Sequence, residues 1–199
     1  MNVEEEAVGR IVGRLDALGI PYMVAGSVAS SLHGRPRATN DADVVIDPTP
    51  EALDALVGGL LGDGYYVDAT IAREALRDRR LFNVIDPVSA FKVDLIVRKE
   101  RPFSRVEFDR RERRDLSGLP ASVATAEDTI LSKLEWARKA GGSERQLADA
   151  LGVLQVSGDR IDRGYVDKWA IALGVEDLWR DLRRQVDRGS SAGHSPRRR

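Results

Sequence analysis

Asp41 and Asp43 stand two apart at the head of an apolar run, Val44-Val45-Ile46, whose composition is that of a buried strand. Side chains alternate along a strand, so both carboxylates project to one side while Ala42 points away. Two such anions repel one another unless a cation lies between them, although Asp-x-Asp by itself is ordinary turn composition. Asp94 adds to the pair. In Phe91-Lys92-Val93-Asp94-Leu95-Ile96-Val97 the apolar residues 91, 93, 95 and 97 share one face, and Asp94 falls on the other between Lys92 and Ile96. A buried carboxylate without a partner is costly. Three carboxylates on neighbouring strands would remove that cost by holding one or two Mg²⁺ ions. Such ions align an attacking hydroxyl, steady a transferring phosphoryl group and neutralise a leaving pyrophosphate.

The rest of the composition narrows the metal. The chain of 199 residues has no cysteine and two histidines, His33 and His194. Thiolate sites are excluded and a zinc enzyme is disfavoured, which leaves oxygen ligands and magnesium, manganese or calcium. His33 reads as packed or capping, because this chemistry needs no imidazole. Gly26-Ser27 follows the short apolar run Tyr22–Ala25, where a strand would give way to a helix. Free N–H groups and the helix dipole favour a phosphate at such a junction, and the serine hydroxyl can donate to it. Gly-Ser is also a common structural cap.

The segment Val24-Ala25-Gly26-Ser27, continued by His33-Gly34-Arg35-Pro36-Arg37-Ala38-Thr39-Asn40-Asp41-Ala42-Asp43, resembles the first motif of polymerase-β-type nucleotidyltransferases. Within them it is most similar to the AbiEii-like toxins of abortive-infection and toxin–antitoxin systems, including the mycobacterial MenT group. The resemblance runs from residue 22 to about 155. It implies a polymerase-β-like domain with a mixed sheet, followed by a helical C-terminal domain. It also implies NTP as substrate, Mg²⁺ (or Mn²⁺) on Asp41, Asp43 and Asp94, and nucleotide contacts from Gly26, Ser27, Arg35 and Arg37. The family's helical lysine matches Lys133 in Leu131-Ser132-Lys133-Leu134-Glu135-Trp136, and its later aspartate matches Asp149. Lys133 suits a triphosphate whose charge grows on the leaving group; read alone it is a solvated lysine paired with Glu135 or Asp149. Asp149, four after Arg145, reads alone as a surface ion pair. Arg35 and Arg37 flank Pro36, which stiffens the turn that presents them. Thr39, two before Asp41, either caps the start of the strand or, as in some toxins of this group, takes a silencing phosphate from a kinase-like antitoxin. The acceptor that the family implies is RNA, above all the tRNA 3′ end, with aminoacylation and translation blocked. A small-molecule (antibiotic) or protein hydroxyl, or an inactive binding module, are the alternatives.

These residues need elements to hold them. Apolar positions at Val8, Ile11, Val12, Leu15 and Leu18 repeat at helical spacing and stop at Gly19. Pro48-Thr49-Pro50 opens a helix over 51–61, and an arginine-rich helix is expected over 71–80 after a short strand at 65–68. Leu81–Ile85 and Phe91–Val97, around Asp86-Pro87-Val88-Ser89, make an antiparallel hairpin. Residues 101–119 are charged and irregular, a connection, and helices then follow over 125–139, 144–156, 163–172 and 176–188. The domains expected are 1–100 (α/β), 101–188 (helical) and 189–199, a disordered basic tail. Residues 1–100 carry 11 Lys/Arg against 16 Asp/Glu, and residues 101–199 carry 20 against 16. An acidic first half suits bound cations. Arg110, Arg111, Arg113, Arg114, Arg180, Arg183, Arg184, Arg188 and Arg197–Arg199 suit a polyanion, or are plain solvated helix faces. The acidic N-terminus and the lack of a long apolar run predict a cytoplasmic protein that engages no membrane.

Overall fold

The computed structural model describes residues 3–39, 41–116 and 118–192. Strands β1 (Tyr22–Val24), β2 (Asp41–Ile46), β3 (Leu81–Ile85), β4 (Lys92–Val97), β5 (Glu112–Leu116) and β6 (Leu119–Val123) form one mixed sheet in the order β3-β4-β2-β1-β6-β5. β2 and β4 run parallel side by side, β3 pairs antiparallel with β4, and β1 antiparallel with β2. Burial alternates strictly along β2 and β4. Ala42, Val44 and Ile46, paired with Val93, Leu95 and Val97, face the core together with Phe82 and Val84. Helices α1 (Val3–Ala17), α3 (Pro50–Gly62) and α4 (Ala69–Asp78) add Ile11, Leu15, Leu53, Leu56, Leu60 and Ala72 to that core. Thr49 caps α3 by accepting from the Ala52 N–H, with Pro50 in the first turn, and Asp68 caps α4 by accepting from Thr70 and Ile71.

The described chain divides into two units, one within Met1–Ala29 and Arg37–Thr125, the other within Ser30–Pro36 and Ala126–Arg199. Helix α2 (Gly26–His33) begins in the first and ends in the second. In the second unit, α6 (Ala126–Lys139), α7 (Glu144–Ser157), α8 (Arg163–Ala172) and α9 (Glu176–Ala192) enclose Ile130, Leu134, Val153, Val166, Trp179 and Leu182. The residues before Pro36 lie close on α7. A Cβ on Gly34 would come 2.8 Å from the Val153 nitrogen, so only glycine fits there.

Three expectations change. The stretch expected to be an irregular connection instead holds α5 (Pro102–Asp109) and β5, which pairs with β6. β5 lies at the sheet edge with only Leu116 buried, so it carries none of the alternation that marks a half-buried strand. The strand expected at 65–68 is a single bridge between Tyr66 and Ile85. Helix α9 continues to Ala192, four residues into the expected disordered tail; residues 193–199 lie outside the described residues.

Candidate active site

The pairing of β2, β3 and β4 writes the site as three rows on the sheet face opposite the core. The first is Ile85, Lys92 and Asp41; the second is Asn83, Asp94 and Asp43; the third is Leu81, Ile96 and Val45. Asp43 and Asp94 are thus direct neighbours on parallel strands, with Asp41 one step along the same face. The carboxylates are not equivalent: the Asp94 side chain is 14% exposed and that of Asp41 46%. Asn83 Nδ2 donates to Asp94 Oδ1 at 2.5 Å, and Lys92 Nζ donates to Asp94 Oδ2 at 3.0 Å and lies 4.0 Å from Asp41 Oδ2. The lysine is held more firmly protonated than usual, first by its hydrogen bond to Asp94 and then, against the cost of partial burial, by the charges of Asp94, Asp41 and Asp43. Among the described residues no three His, Asp or Glu side chains are gathered as a ready cage for a metal ion. The donor chemistry nonetheless fits magnesium: the oxygens are anionic, partly exposed, and already attract one stand-in cation, the Lys92 ammonium.

The β1–α2 junction meets the second row. Val24 pairs with Val44, and the Ala25 N–H donates to the Asp43 carbonyl at 2.9 Å. This brings Gly26 against the Asp43 side chain, where a Cβ would stand 1.8 Å from Oδ2. Gly26 also has φ of +58°, so both space and backbone demand glycine. Ser27 and Thr39 are buried with their hydroxyls 3.0 Å apart. Thr39 also reaches Asp41 Oδ1 at 3.0 Å and the Asp41 carbonyl at 3.1 Å. Its hydroxyl therefore orients the carboxylate two residues on, as the spacing along an extended chain implies.

Lys133 and Asp149 belong to the second unit. Lys133 Nζ donates to Asp149 Oδ2 at 2.8 Å, with side chains only 7% and 9% exposed. The pairing of Lys133 with Asp149 is the one expected of the lysine, but the pair is buried between α6 and α7 rather than solvated, and it takes the place of the surface Asp149–Arg145 pair. The arginines expected at phosphates are engaged within the protein: Arg35 Nη2 donates to Gln155 Oε1 at 3.0 Å, and Arg37 Nη1 to the Ala38 carbonyl at 3.3 Å. Lys92 and Asn83 are not among the site residues that the sequence singles out. Lys92 carried a usable signal, since it lies two before Asp94 and must share its face. Asn83 could be placed only through the register of the hairpin.

No protein-family model matches the chain, and no curated protein matches its sequence. Solved structures do match. The solution structure of the antibiotic-resistance factor ANT(2'')-Ia has a TM-score of 0.55 at 13% identity, over 94% of this chain and 97% of that one. The crystal structure of ANT(2'')-Ia in complex with adenylyl-2''-tobramycin gives 0.54 at 15% identity, over 92% and 99%. An antigenic nucleotidyltransferase-like protein from Paracoccidioides brasiliensis gives 0.55 at 16% identity, over 90% and 91%. What the chain shares with them at these identities is the fold, a mixed α/β nucleotidyltransferase fold.

Proposed function

We propose that this protein is a nucleotidyltransferase that moves a nucleoside monophosphate from an NTP to an acceptor hydroxyl. The observation that supports it most is the meeting of Asp43 and Asp94, in register on parallel strands, with Gly26 at the start of α2. The acceptor oxygen bonds to the α-phosphorus as the bond from that phosphorus to the β-phosphate oxygen breaks; pyrophosphate leaves, and the hydroxyl proton passes to a carboxylate of the rows or to water. Asp41, Asp43 and Asp94 would hold magnesium, which supplies charge neutralisation to the triphosphate. The backbone at Gly26-Ser27 would receive a phosphate at the N-terminus of α2, and Thr39 holds the Asp41 carboxylate in place. Lys133, held by Asp149, is assigned to the nucleotide on the strength of the motif resemblance.

That resemblance also supports the finer reading, an AbiEii-like toxin that modifies the tRNA 3′ end and is paired with a kinase-like antitoxin. A phosphate on Thr39 would place roughly two negative charges beside Asp41 and break the Ser27–Thr39 contact. Because Thr39 is only 6% exposed, the chain around it must open before a kinase can reach it. A second reading, a small-molecule hydroxyl as acceptor, is favoured by the likeness to ANT(2'')-Ia over nearly the whole of both chains. One experiment tests the chemistry: the protein, magnesium and each labelled NTP in turn, with total RNA or an aminoglycoside panel. Label should transfer to one acceptor class, and both Asp41→Ala and Thr39→Glu should abolish it. Full transfer in excess EDTA, or by Asp41→Ala, would rule the mechanism out.

A further inference from the structure

Lys92 stands where the proposed reaction needs a different cation. It is the middle member of the first row, between Ile85 and Asp41, and its ammonium is 3.0 Å from Asp94 Oδ2 and 4.0 Å from Asp41 Oδ2. Both carboxylates are ones the proposed chemistry requires for a divalent ion. The ammonium is a single charge on a flexible stem, and its side chain is 37% exposed, so it has open solvent into which to withdraw. Asn83 holds the other Asp94 oxygen and does not compete for the same atom. We propose that Lys92 is the resident counter-cation of the carboxylate rows, and that a divalent metal loads by displacing its ammonium from Asp94 and Asp41.

The proposal rests on the nucleotidyltransferase reading and adds a positioning residue to it. Two consequences follow from simple electrostatics. Without metal, the Lys92 ammonium beside Asp94 and Asp41 offsets the mutual repulsion of the carboxylate rows and so supports the metal-free fold. With metal, a positive charge must first be moved aside, so the free ion binds more weakly than three carboxylates alone would bind it.

The test measures Mn²⁺ binding to the full chain by electron paramagnetic resonance, together with Tm in EDTA and in Mn²⁺, for wild type, Lys92→Met and Lys92→Arg. Lys92→Met should bind Mn²⁺ about tenfold more tightly than wild type. It should melt a few degrees lower in EDTA and gain more from Mn²⁺ than wild type does. Lys92→Arg keeps the charge and should stay near wild type in both measurements. Mn²⁺ binding to wild type with an affinity that Lys92→Met leaves unchanged or weakens would overturn the role of Lys92 alone. No Mn²⁺ binding to any of the three proteins would overturn it together with the metal-dependent reading.

Discussion

Lys133 and Asp149 show how a residue assigned to chemistry also carries the fold. Their ion pair is more than nine-tenths buried, so removing one partner strands a charge inside the second unit. Breaking a buried pair costs about 3–5 kcal/mol, whereas replacing both partners by apolar residues of similar volume is often close to neutral. Lys133→Ala alone would therefore lose activity for either reason. The informative variant is the double one, Lys133→Met with Asp149→Leu. It should recover most of the stability that Lys133→Ala loses in urea denaturation, while nucleotide transfer stays down by orders of magnitude. Recovery of transfer along with stability would make the pair purely structural. At this scale the shared face of the three aspartates is legible in the sequence, because alternation along a strand needs no partner to predict. The sequence is silent on Gly26 against Asp43 and on Asn83 against Asp94, since those contacts exist only once β1, β2, β3 and β4 have found their registers.

Elements that place the rows depend on the turn between β3 and β4. Asp86 closes it: Oδ1 accepts from the Val88 N–H at 2.9 Å, and Arg10 of α1 donates to Oδ2 at 2.7 Å. These partners, the Val88 N–H foremost and then Ser89 and Arg10, hold the Asp86 carboxyl below the ordinary carboxylate range despite its burial. A folded pKa below the unfolded one contributes stability above the unfolded value, about 3.9. That contribution fades as pH falls through the folded value. Asp86→Asn should thus cost about 1–2 kcal/mol at pH 7. The gap from wild type should close as denaturation is repeated toward pH 2, and a gap independent of pH would assign the effect to the amide's altered hydrogen bonding. The hairpin itself was legible, with alternating apolar residues on both sides of a Pro-containing turn, as were the four helices of the second unit. β5 was not, because an edge strand of Glu112-Arg113-Arg114-Asp115 has no inner face to betray it.

Over the whole molecule, the arginines bear on which acceptor the proposed transfer would use. Their number suggested a polyanion surface, but many are spent within their own units. Arg111 lies over the Phe108 ring, Arg113 donates to Tyr22 and to the Pro120 carbonyl, and Arg183 lies over the Trp179 ring and pairs with Asp167. Arg114 is a better probe. Its bond to Glu112 joins two half-exposed side chains, a pair worth at most about 1 kcal/mol, so reversing its charge leaves the fold intact. If RNA is the acceptor, each phosphate contact releases counterions, and log K falls with log salt at a slope of about −0.7 per contact on a single strand. Transfer to RNA should then drop steeply between roughly 50 and 200 mM salt, on the order of tenfold or more for several contacts. Arg114→Glu should raise the KM for RNA more than the KM for NTP, and it should flatten that slope. A small-molecule acceptor predicts a shallow salt dependence and no effect of Arg114→Glu on either KM. Steady-state kinetics of wild type and Arg114→Glu across that salt range therefore separates a toxin acting on RNA from an enzyme that modifies a small hydroxylated compound. A steep slope that Arg114→Glu leaves untouched would keep RNA as the acceptor and move its contact surface away from β5.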